Sequence, residues 1–246
     1  MESNKDFIIR KFHEVKKLGY VRSRRTNDTG IGKTFEDYIG VLENNSDQPD
    51  LAGFEIKAHR EETCSYITLF TKSPSFPKGA NKYLNSKYGV PYDNPKKMGL
   101  NKLHTSLFAN NYNTFAGKLS FKLINDRLQK TIKIGVYDIN NNNLLDDSVG
   151  YNYNVLENTF KRKLNNLFYV SAKRKYEGGE EYFYFDKAEI YTEPSFDNFL
   201  DLLDQGLIMF DIRIGSYSNG RTHDHGSGFR ILQPNLRLLY TNKECV

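Results

Sequence analysis

The stretch PDLAGFEIKAHR (Pro49–Arg60) marks the point where the chain changes from a loop to a strand. Apolar and charged residues alternate from position 54 to 58, and this period of two predicts a β-strand from Ala52 to Ala58. Because residues two apart project from one face of a strand, Glu55 and Lys57 are expected to lie side by side. Asp50 comes just before the strand, so its carboxylate can fold against that of Glu55. The stretch therefore predicts two acids and a lysine at the start of one strand.

This arrangement has a chemical and an ordinary interpretation. Two converging carboxylates repel each other unless a cation lies between them, and Mg²⁺ prefers such hard oxygen ligands, to which the carbonyl of Ile56 can add a third. A bound Mg²⁺ polarises a phosphoryl oxygen, and the ammonium of Lys57 can orient a water molecule or stabilise negative charge. The ordinary interpretation is a strand with a Glu–Lys pair on its wet face. The short pattern P-D-x4-E-x-K leaves both interpretations open.

The rest of the sequence predicts a mixed α/β fold, in one domain of two lobes. In the predicted helices apolar residues recur every three or four positions, whereas in the predicted strands they alternate or run together. Helices are predicted near residues 7–15, 34–42, 155–164 and 196–203. Strands are predicted at residues 65–71, 118–124, 131–138, 167–175, 182–191 and 207–214. Residues 1–145 are expected to form one lobe, and residues 146–246 the other.

Turn and capping residues punctuate these elements. Pro, Gly, Asn and Lys dominate residues 72–97, which predicts a long surface loop. Residues 140–143 predict a hairpin tip or loop, and Glu177-Gly-Gly-Glu180 has the chemistry of a hairpin turn. Thr34 is expected to cap the second helix. Glu36 then lies in its first turn, where a carboxylate stabilises a helix N-terminus.

The composition is that of a globular protein without membrane spans. No run approaches the ~18 apolar residues of a membrane helix, and the first residues, MESNKDFIIRKF, lack the pattern of a secretory signal. The chain has two cysteines, Cys64 and Cys245, far apart in its 246 residues. This cysteine usage predicts reduced thiols and a cytoplasmic location.

The net charge of +5 comes from clustered basic residues. Such clusters suit a phosphate backbone, because each neutralised phosphate releases counterions, but a solvated surface explains them equally well. The clusters are Arg22-Ser-Arg24-Arg25, Lys96-Lys97, Lys161-Arg162-Lys163 and Lys173-Arg174-Lys175. His59, directly after the predicted strand, either approaches a phosphate or is an ordinary surface histidine.

A second constellation lies between positions 213 and 230, among glycines and serines. Arginine donates two parallel hydrogen bonds to guanine, histidine can donate to the same acceptors, and aspartate can accept from cytosine. This chemistry favours the reading of G·C pairs. A zinc site on the two histidines lacks visible partners for the usual four ligands, and a solvated polar loop is the third interpretation. The candidate base-reading residues are Arg213, Tyr217, Arg221, His223, Asp224, His225 and Arg230.

Together these motifs resemble those of a known family. Pro49-Asp50 and Glu55-Ile56-Lys57 resemble the PD-(D/E)XK nuclease motif. The segments Gly32–Glu36 and Gly53–Lys57 resemble the MutH-like branch of these nucleases, and Thr222–Ile231 points to the MvaI/BcnI group of type II restriction endonucleases. The resemblance implies an α/β fold of the PD-(D/E)XK type, with a mixed central sheet flanked by helices and two lobes around a DNA cleft. The lobe of residues 1–145 would be catalytic, and that of residues 146–246 would recognise DNA.

The resemblance also implies roles for the residues of the first motif. Asp50 and Glu55 would be ligands of Mg²⁺, Lys57 the catalytic lysine and Glu36 an auxiliary carboxylate. The gap between Asp50 and Glu55 is shorter than in many nucleases of this class. Whether Asp47 or Glu36 shares the metal therefore stays open.

The activity implied is hydrolysis of double-stranded DNA at a short C/G-flanked, CCWGG-like site, with a one-nucleotide 5′ overhang. The enzyme would act as a monomer without an obligate protein partner, and would nick the two strands in turn. Two alternatives stay open from the residues alone. One is a MutH-like nicking endonuclease of mismatch repair, and the other is a DNA-binding module without catalysis.

Overall fold

A computed structural model describes residues 2–26, 30–41, 50–61 and 65–246. In these residues the predicted mixed α/β fold is confirmed. The α-helices are α1 (Asn4–Lys17), α2 (Gly30–Ile39), α3 (Ala80–Tyr88), α4 (Tyr153–Leu164) and α5 (Phe196–Asp204), and 3-10 helices cover Pro95–Lys97 and Gln233–Leu239. None of the helices in these ranges is long and apolar enough to cross a membrane. Cys245 is a free, exposed thiol, and Cys64 lies outside the described residues.

The strands of the first half are β1 (Val21–Arg22), β2 (Glu55–Arg60), β3 (Tyr66–Thr71), β4 (Val90–Pro91), β5 (Asn101–Leu107), β6 (Leu119–Asp126) and β7 (Thr131–Asp138). Those of the second half are β8 (Leu144–Asn152), β9 (Asn166–Glu177), β10 (Glu180–Pro194), β11 (Ile208–Ser216), β12 (Thr222–Asp224), β13 (Gly228–Leu232) and β14 (Tyr240–Cys245). The six strands predicted after residue 60 are confirmed with small shifts of their ends, and β5 and β8 are additional.

The chain folds into two compact units, each built from separate segments. Unit 1 contains Met1–Ser65, Lys161–Ser195 and Leu236–Val246, and unit 2 contains Tyr66–Phe160 and Phe196–Asn235. The sequence analysis divides the chain once, near residue 145. The structure divides it at four points, because β9, β10 and β14 pair with one another in the sheet that also holds β2.

The sheet of unit 1 has the strand order β1-β10-β9-β2, with β14 also paired to β10. β2 runs parallel to β9, and the other pairs are antiparallel. Phe168 of β9 is fully buried and contacts the rings of Phe12, Phe35 and Phe54. The apolar core thus fills the face of the sheet that α1 and α2 cover. β2 is left at an edge of the described sheet.

Local sequence signals account for much of unit 1. α1 begins after Ser3, whose hydroxyl accepts a hydrogen bond from the amide of Asp6, and it buries Ile8, Phe12 and Val15. The predicted hairpin turn joins β9 to β10. Its two glycines, 178 and 179, have φ angles of 60° and 83°, as a tight hairpin turn requires.

The prediction for the start of the second helix is wrong. α2 already includes Gly30, so Thr34 lies inside the helix. Its buried hydroxyl donates to the carbonyl of Gly30 and accepts from the amide of Arg24, which ties the helix to the segment before it. Glu36 is therefore in the middle of α2, and no acid lies in the first turn of its described part. Stabilisation of the helix N-terminus does not explain Glu36.

Unit 2 contains a sheet of order β3-β13-β11-β5-β4, with β12 paired to β11, and an antiparallel sheet β6-β7-β8. Phe229 of β13 is fully buried, and four rings surround it, those of Phe70, Tyr151, Phe199 and Phe210. Edge-to-face and tilted aromatic contacts of this kind are favourable in cores. The predicted tip at residues 140–143 connects β7 to β8.

The predicted long loop at residues 72–97 is wrong, because α3 lies within it. Ala80, Leu84 and Tyr88 recur every four residues and are buried, which is the helical period. Asparagine and lysine fill the positions between them and hide the apolar stripe. α3 packs against β5, β11 and β12, so it supports the strands of the second constellation.

Candidate active site

A tight turn in unit 1 brings Asp50 to the start of β2. Leu51 and Phe54 exchange backbone hydrogen bonds of 2.8 and 3.1 Å. Ala52 and Gly53 between them have positive φ angles of 50° and 78°. The chain thereby reverses, and the Oδ2 atom of Asp50 accepts a hydrogen bond of 2.8 Å from the amide of Ile56. Five residues separate the two acids of the motif in sequence, and this turn draws their carboxylates together.

The same hydrogen bond orients the carbonyl of Ile56. β2 pairs only with β9 among the described strands, so its other edge is open. The amide of Ile56 points to that open edge, since it donates to Asp50. In an extended strand the N–H and C=O groups of one residue point to the same side. The Ile56 carbonyl therefore points toward the side where Asp50 lies.

Glu55 is buried, with 6% of its surface exposed. Its Oε1 atom lies 2.8 Å from the Nζ atom of Lys57, and its Oε2 atom lies 3.5 Å from the Nζ atom of Lys163. Oε2 accepts no hydrogen bond from the described residues. The wet surface strand that the sequence left open is thus wrong for Glu55, because a buried carboxylate requires paired charges.

Glu36 and Asp50 belong to the same electrostatic neighbourhood. Burial raises the pKa of Asp50, and the negative charge of Glu55 raises it further. The pKa of Glu36 is raised by burial first and by Asp50 second. Lys57 lowers the pKa of both groups without cancelling these effects. Three acids therefore interact around one lysine-rich edge, and two of them resist ionisation.

These groups fit a hard divalent cation. Carboxylate and carbonyl oxygens are the ligands that Mg²⁺ takes, and Asp50, Glu55 and Ile56 present such oxygens at one edge. The unpartnered Oε2 atom of Glu55 is an acceptor that a cation can satisfy. The acids do not yet converge, since no three His, Cys, Asp or Glu side chains within residues 2–26, 30–41, 50–61 and 65–246 gather as a metal cluster. Asp47, the other acid considered, lies outside these ranges.

Two neighbours of Glu55 were not expected from the sequence. Lys163 was assigned only to a basic cluster, and Tyr240 to no site. The hydroxyl of Tyr240 is buried without a hydrogen-bond partner in the described chain. Burial and then the charge of Glu55 raise its pKa. No signal in the sequence links positions 163 and 240 to position 55, because the contacts depend on how β9, β10 and β14 pair.

His59 is neither of the things expected from the sequence. It is 8% exposed, and its ring stacks on Tyr169 with a centroid distance of 4.7 Å. Its Nδ1 atom lies 3.4 Å from the hydroxyl of Ser171. Burial lowers its pKa. His59 is thus a core histidine on the face of β2 that carries Glu55 and Lys57.

The second constellation lies in unit 2 and is organised by one buried acid. Asp211 is 1% exposed and accepts a hydrogen bond of 2.8 Å from the Nε atom of Arg213. The same Oδ2 atom is 3.1 Å from the Nε atom of Arg230. Ser106 donates to the other carboxylate oxygen at 3.0 Å. One carboxylate therefore fixes two arginines, and Arg213 keeps nearly half of its side chain exposed.

The histidines are held beside these arginines by close packing over a glycine. The rings of His223 and His225 are 3.6 Å apart, and Tyr217 stacks on His223 at 4.2 Å. A Cβ atom on Gly215 would meet the Tyr92 hydroxyl at 2.4 Å and both histidine rings at 3.2 Å. Only glycine therefore permits this approach. The described residues offer no third ligand to make a metal cluster here, so the zinc interpretation finds no support.

Asp224 and Arg221 differ from the other candidates. The carboxylate of Asp224 accepts hydrogen bonds from the amides of Gly226 and Ser227 at 3.0 and 2.6 Å, and from the Asn81 side chain at 3.1 Å. It therefore shapes the turn between β12 and β13. Arg221 is exposed in the turn between β11 and β12. The structure thus brings together five of the seven candidates and gives Asp224 a structural task as well.

Part of the basic clustering is neutralised at the surface of unit 1. Arg22 pairs with Glu180, Lys173 with Asp186 and Lys175 with Glu177, at 2.5 to 2.9 Å. Exposed pairs of this type contribute little to stability. For these clusters the solvated surface is the better interpretation.

Comparison with known proteins assigns the chain to a family. Its sequence matches the MvaI/BcnI restriction endonuclease family over residues 9–240, although no curated protein matches it. Among solved structures it is similar to restriction endonuclease MvaI in complex with cognate DNA, with 32% identity, a TM-score of 0.89 and coverage of 100% of this chain and 99% of that chain. MvaI in the absence of DNA is similar at 32% identity, with a TM-score of 0.66 and coverage of 100% and 98%. The resemblance is confirmed, and the chain belongs to the MvaI/BcnI restriction endonuclease family, whose members are type II site-specific DNA endonucleases.

Proposed function

We propose that this endonuclease hydrolyses phosphodiester bonds in duplex DNA with Mg²⁺ held by Asp50, Glu55 and the carbonyl of Ile56. The observation that carries the proposal is the pair of repelling acids at the open edge of β2. Burial raises the pKa of Asp50 and of Glu36, and mutual repulsion adds to it, so the site is short of positive charge. The similar structure of MvaI contains its cognate DNA, which supports duplex DNA as the substrate here.

The residues of unit 1 divide the chemistry. A divalent ion at Asp50 and Glu55 supplies Lewis-acid polarisation of a phosphoryl oxygen and a water of lowered pKa. Lys57 lies 2.8 Å from Glu55, so its ammonium is close enough to the ligands to orient a water molecule and to stabilise charge on the phosphate. Glu36 acts as an auxiliary carboxylate beside Asp50. No residue serves as a covalent nucleophile.

The residues of unit 2 supply recognition. Arg213 and Arg230 present guanidinium groups that Asp211 orients, and such groups donate bidentately to guanine. His223, His225 and Tyr217 form a contiguous ring cluster that can contact neighbouring bases. Arg221, on the exposed turn, and Asp224 complete the set. We propose a CCWGG-like target on the family resemblance, since G·C pairs match this chemistry.

The family resemblance also motivates the mode of action. One catalytic centre per chain fits a monomer that nicks the two strands in turn, leaves a one-nucleotide 5′ overhang and requires no protein partner. We propose a cytoplasmic location for this activity, in keeping with the cysteine usage.

Sequencing the fragment ends of a genome digested by the purified protein tests the proposal. With Mg²⁺ we expect fragments that end at one short G·C-rich site, and with EDTA no cleavage. A supercoiled plasmid should pass through an open-circular form if the strands are nicked in turn. Binding without cleavage would make the protein a recognition module, and nicking only in the presence of mismatch-repair partners would favour the MutH-like alternative.

A further inference from the structure

Lys163 lies next to the active-site strand although it comes from a distant part of the chain. It belongs to the last turn of α4, and β9 begins at Asn166, directly after the turn. Leu164 and Leu167 on either side are at most 1% exposed, so the segment is anchored in the core. The Asn166 side chain donates to the carbonyl of Gly53 at 3.3 Å, just before β2. The backbone around Lys163 is thereby fixed relative to Glu55.

The Glu55 carboxylate lies between two ammonium groups. Lys57 is 2.8 Å from Oε1, and Lys163 is 3.5 Å from Oε2. The Lys163 side chain is 19% exposed and that of Glu55 is 8% exposed, so water screens this pair weakly. Lys163 also lowers the pKa of Asp50, which places its charge close to both proposed metal ligands.

The proposed reaction leaves Lys57 with two competing tasks. A buried carboxylate costs several kcal/mol when a partner charge is lost, so Glu55 needs a cation at all times. Lys57 can act on the phosphate only when Glu55 keeps another partner. Lys163 lies on the other oxygen of Glu55 and is placed to be that partner.

We infer that Lys163 is a positioning residue that holds Glu55 ionised and oriented, which leaves Lys57 free to act on the substrate. This inference rests on the proposed function, in which Glu55 is a metal ligand and Lys57 the catalytic lysine.

Lys163→Met should have opposite effects on cation binding and on catalysis. Loss of one positive charge several ångströms from a divalent ion should tighten binding of the ion about threefold to tenfold. Cleavage at saturating Mg²⁺ should fall by about tenfold to a hundredfold, because Lys57 remains bound to Glu55. Lys163→Arg should restore the cleavage rate, and DNA affinity should stay within about twofold of the original protein.

The measurements are calorimetric titration of the DNA-free protein with Ca²⁺, and single-turnover cleavage with saturating Mg²⁺. Lys11→Met is the matched control, since Lys11 forms only a surface ion pair with Glu14 in α1, at 3.1 Å. Lys163→Gln serves as a second variant if the methionine variant does not fold.

Weaker Ca²⁺ binding together with slower cleavage would make Lys163 merely structural and overturn the inference. Weaker DNA binding would overturn it in favour of a phosphate contact, and so would unchanged cleavage and Ca²⁺ binding. If the original protein itself fails to cleave in Mg²⁺, the proposed function fails. The Ca²⁺ titration then decides alone, where tighter binding by Lys163→Met supports the charge pairing and unchanged binding overturns it.

Discussion

The acid site of unit 1 and the arginine surface of unit 2 use charge in opposite ways. At the β2 edge, burial and mutual repulsion raise the pKa of Asp50 and of Glu36. On unit 2 a single buried acid, Asp211, satisfies two arginines, Arg213 and Arg230. The first cluster holds more negative charge than it can easily accommodate. The second holds more positive charge than its one acid neutralises.

This difference indicates what each region is prepared for. Groups that bind a cation and activate water gain from being poorly satisfied, since the ligand supplies the missing charge. Groups that recognise bases gain from being fixed in advance, because less freedom is then lost on binding. Substitutions in the two regions should therefore affect different steps, the chemical step in unit 1 and binding or specificity in unit 2.

The largest effect should come from Lys57→Ala. Removal of the ammonium beside Glu55 should lower the single-turnover rate by about a hundredfold to a thousandfold or more. DNA affinity measured with Ca²⁺ should change by less than about twofold, with Lys11→Ala as the control for charge. Cleavage at the original rate would refute the role of Lys57 and the contrast between the regions.

Arg230→Ala should act on recognition. We expect a loss of about 1–3 kcal/mol in binding free energy and relaxed specificity at one position of the target. Competition binding with single-substituted duplexes measures both. A uniform loss across all sequences would identify Arg230 as a phosphate contact, and a loss of the chemical step alone would break the comparison.

Asp211→Asn should produce a smaller effect of the same kind. Asparagine keeps an acceptor for Arg213 and for Ser106 but removes the charge that fixes both arginines. We expect target affinity to fall by about threefold to tenfold, with the single-turnover rate nearly unchanged once DNA is bound. Ser106→Ala, which removes only one hydrogen bond to Asp211, provides the milder comparison. Unchanged affinity in both variants would show that the arginines need no fixed orientation.

The smallest effect should be a gain of stability on Asp50→Asn. Because the folded-state pKa of Asp50 lies above its ordinary value of 3.8, its ionisation opposes folding. This part of the unfolding free energy is fully present below pH 3.8 and is lost as pH rises through the raised pKa. At neutral pH without metal, Asp50→Asn should raise the Tm by about 1–4 °C. The gain should vanish at acidic pH, and a lower Tm in thermal melts at both pH values would contradict the strained site.

The sequence predicts what depends on neighbouring residues. The turn and strand of positions 50–57 could be predicted because period and spacing are local, and the base-reading segment because its chemistry is concentrated. Lys163 could not be predicted to lie beside Glu55, since the contact depends on the parallel pairing of β2 with β9. Asp211 left a usable signal, as a lone acid within the apolar run of β11, because buried acids need partners.

Two further misses have a similar cause. α3 was hidden because polar residues surround its apolar stripe, so composition outweighed periodicity. The start of α2 was misplaced because the Thr34 hydroxyl bonds to both Gly30 and Arg24, a tertiary use that a capping rule does not anticipate. In both places packing decided what local preference left open.

The anomalous diffraction of Mn²⁺ in crystals of the protein is the most direct test of the central claim, that the acids of unit 1 hold the catalytic cation. We predict a peak coordinated by Asp50, Glu55 and the carbonyl of Ile56, and its loss in Glu55→Ala. A peak at His223 and His225 instead, or metal-dependent cleavage with no ion at the β2 edge, would contradict the account.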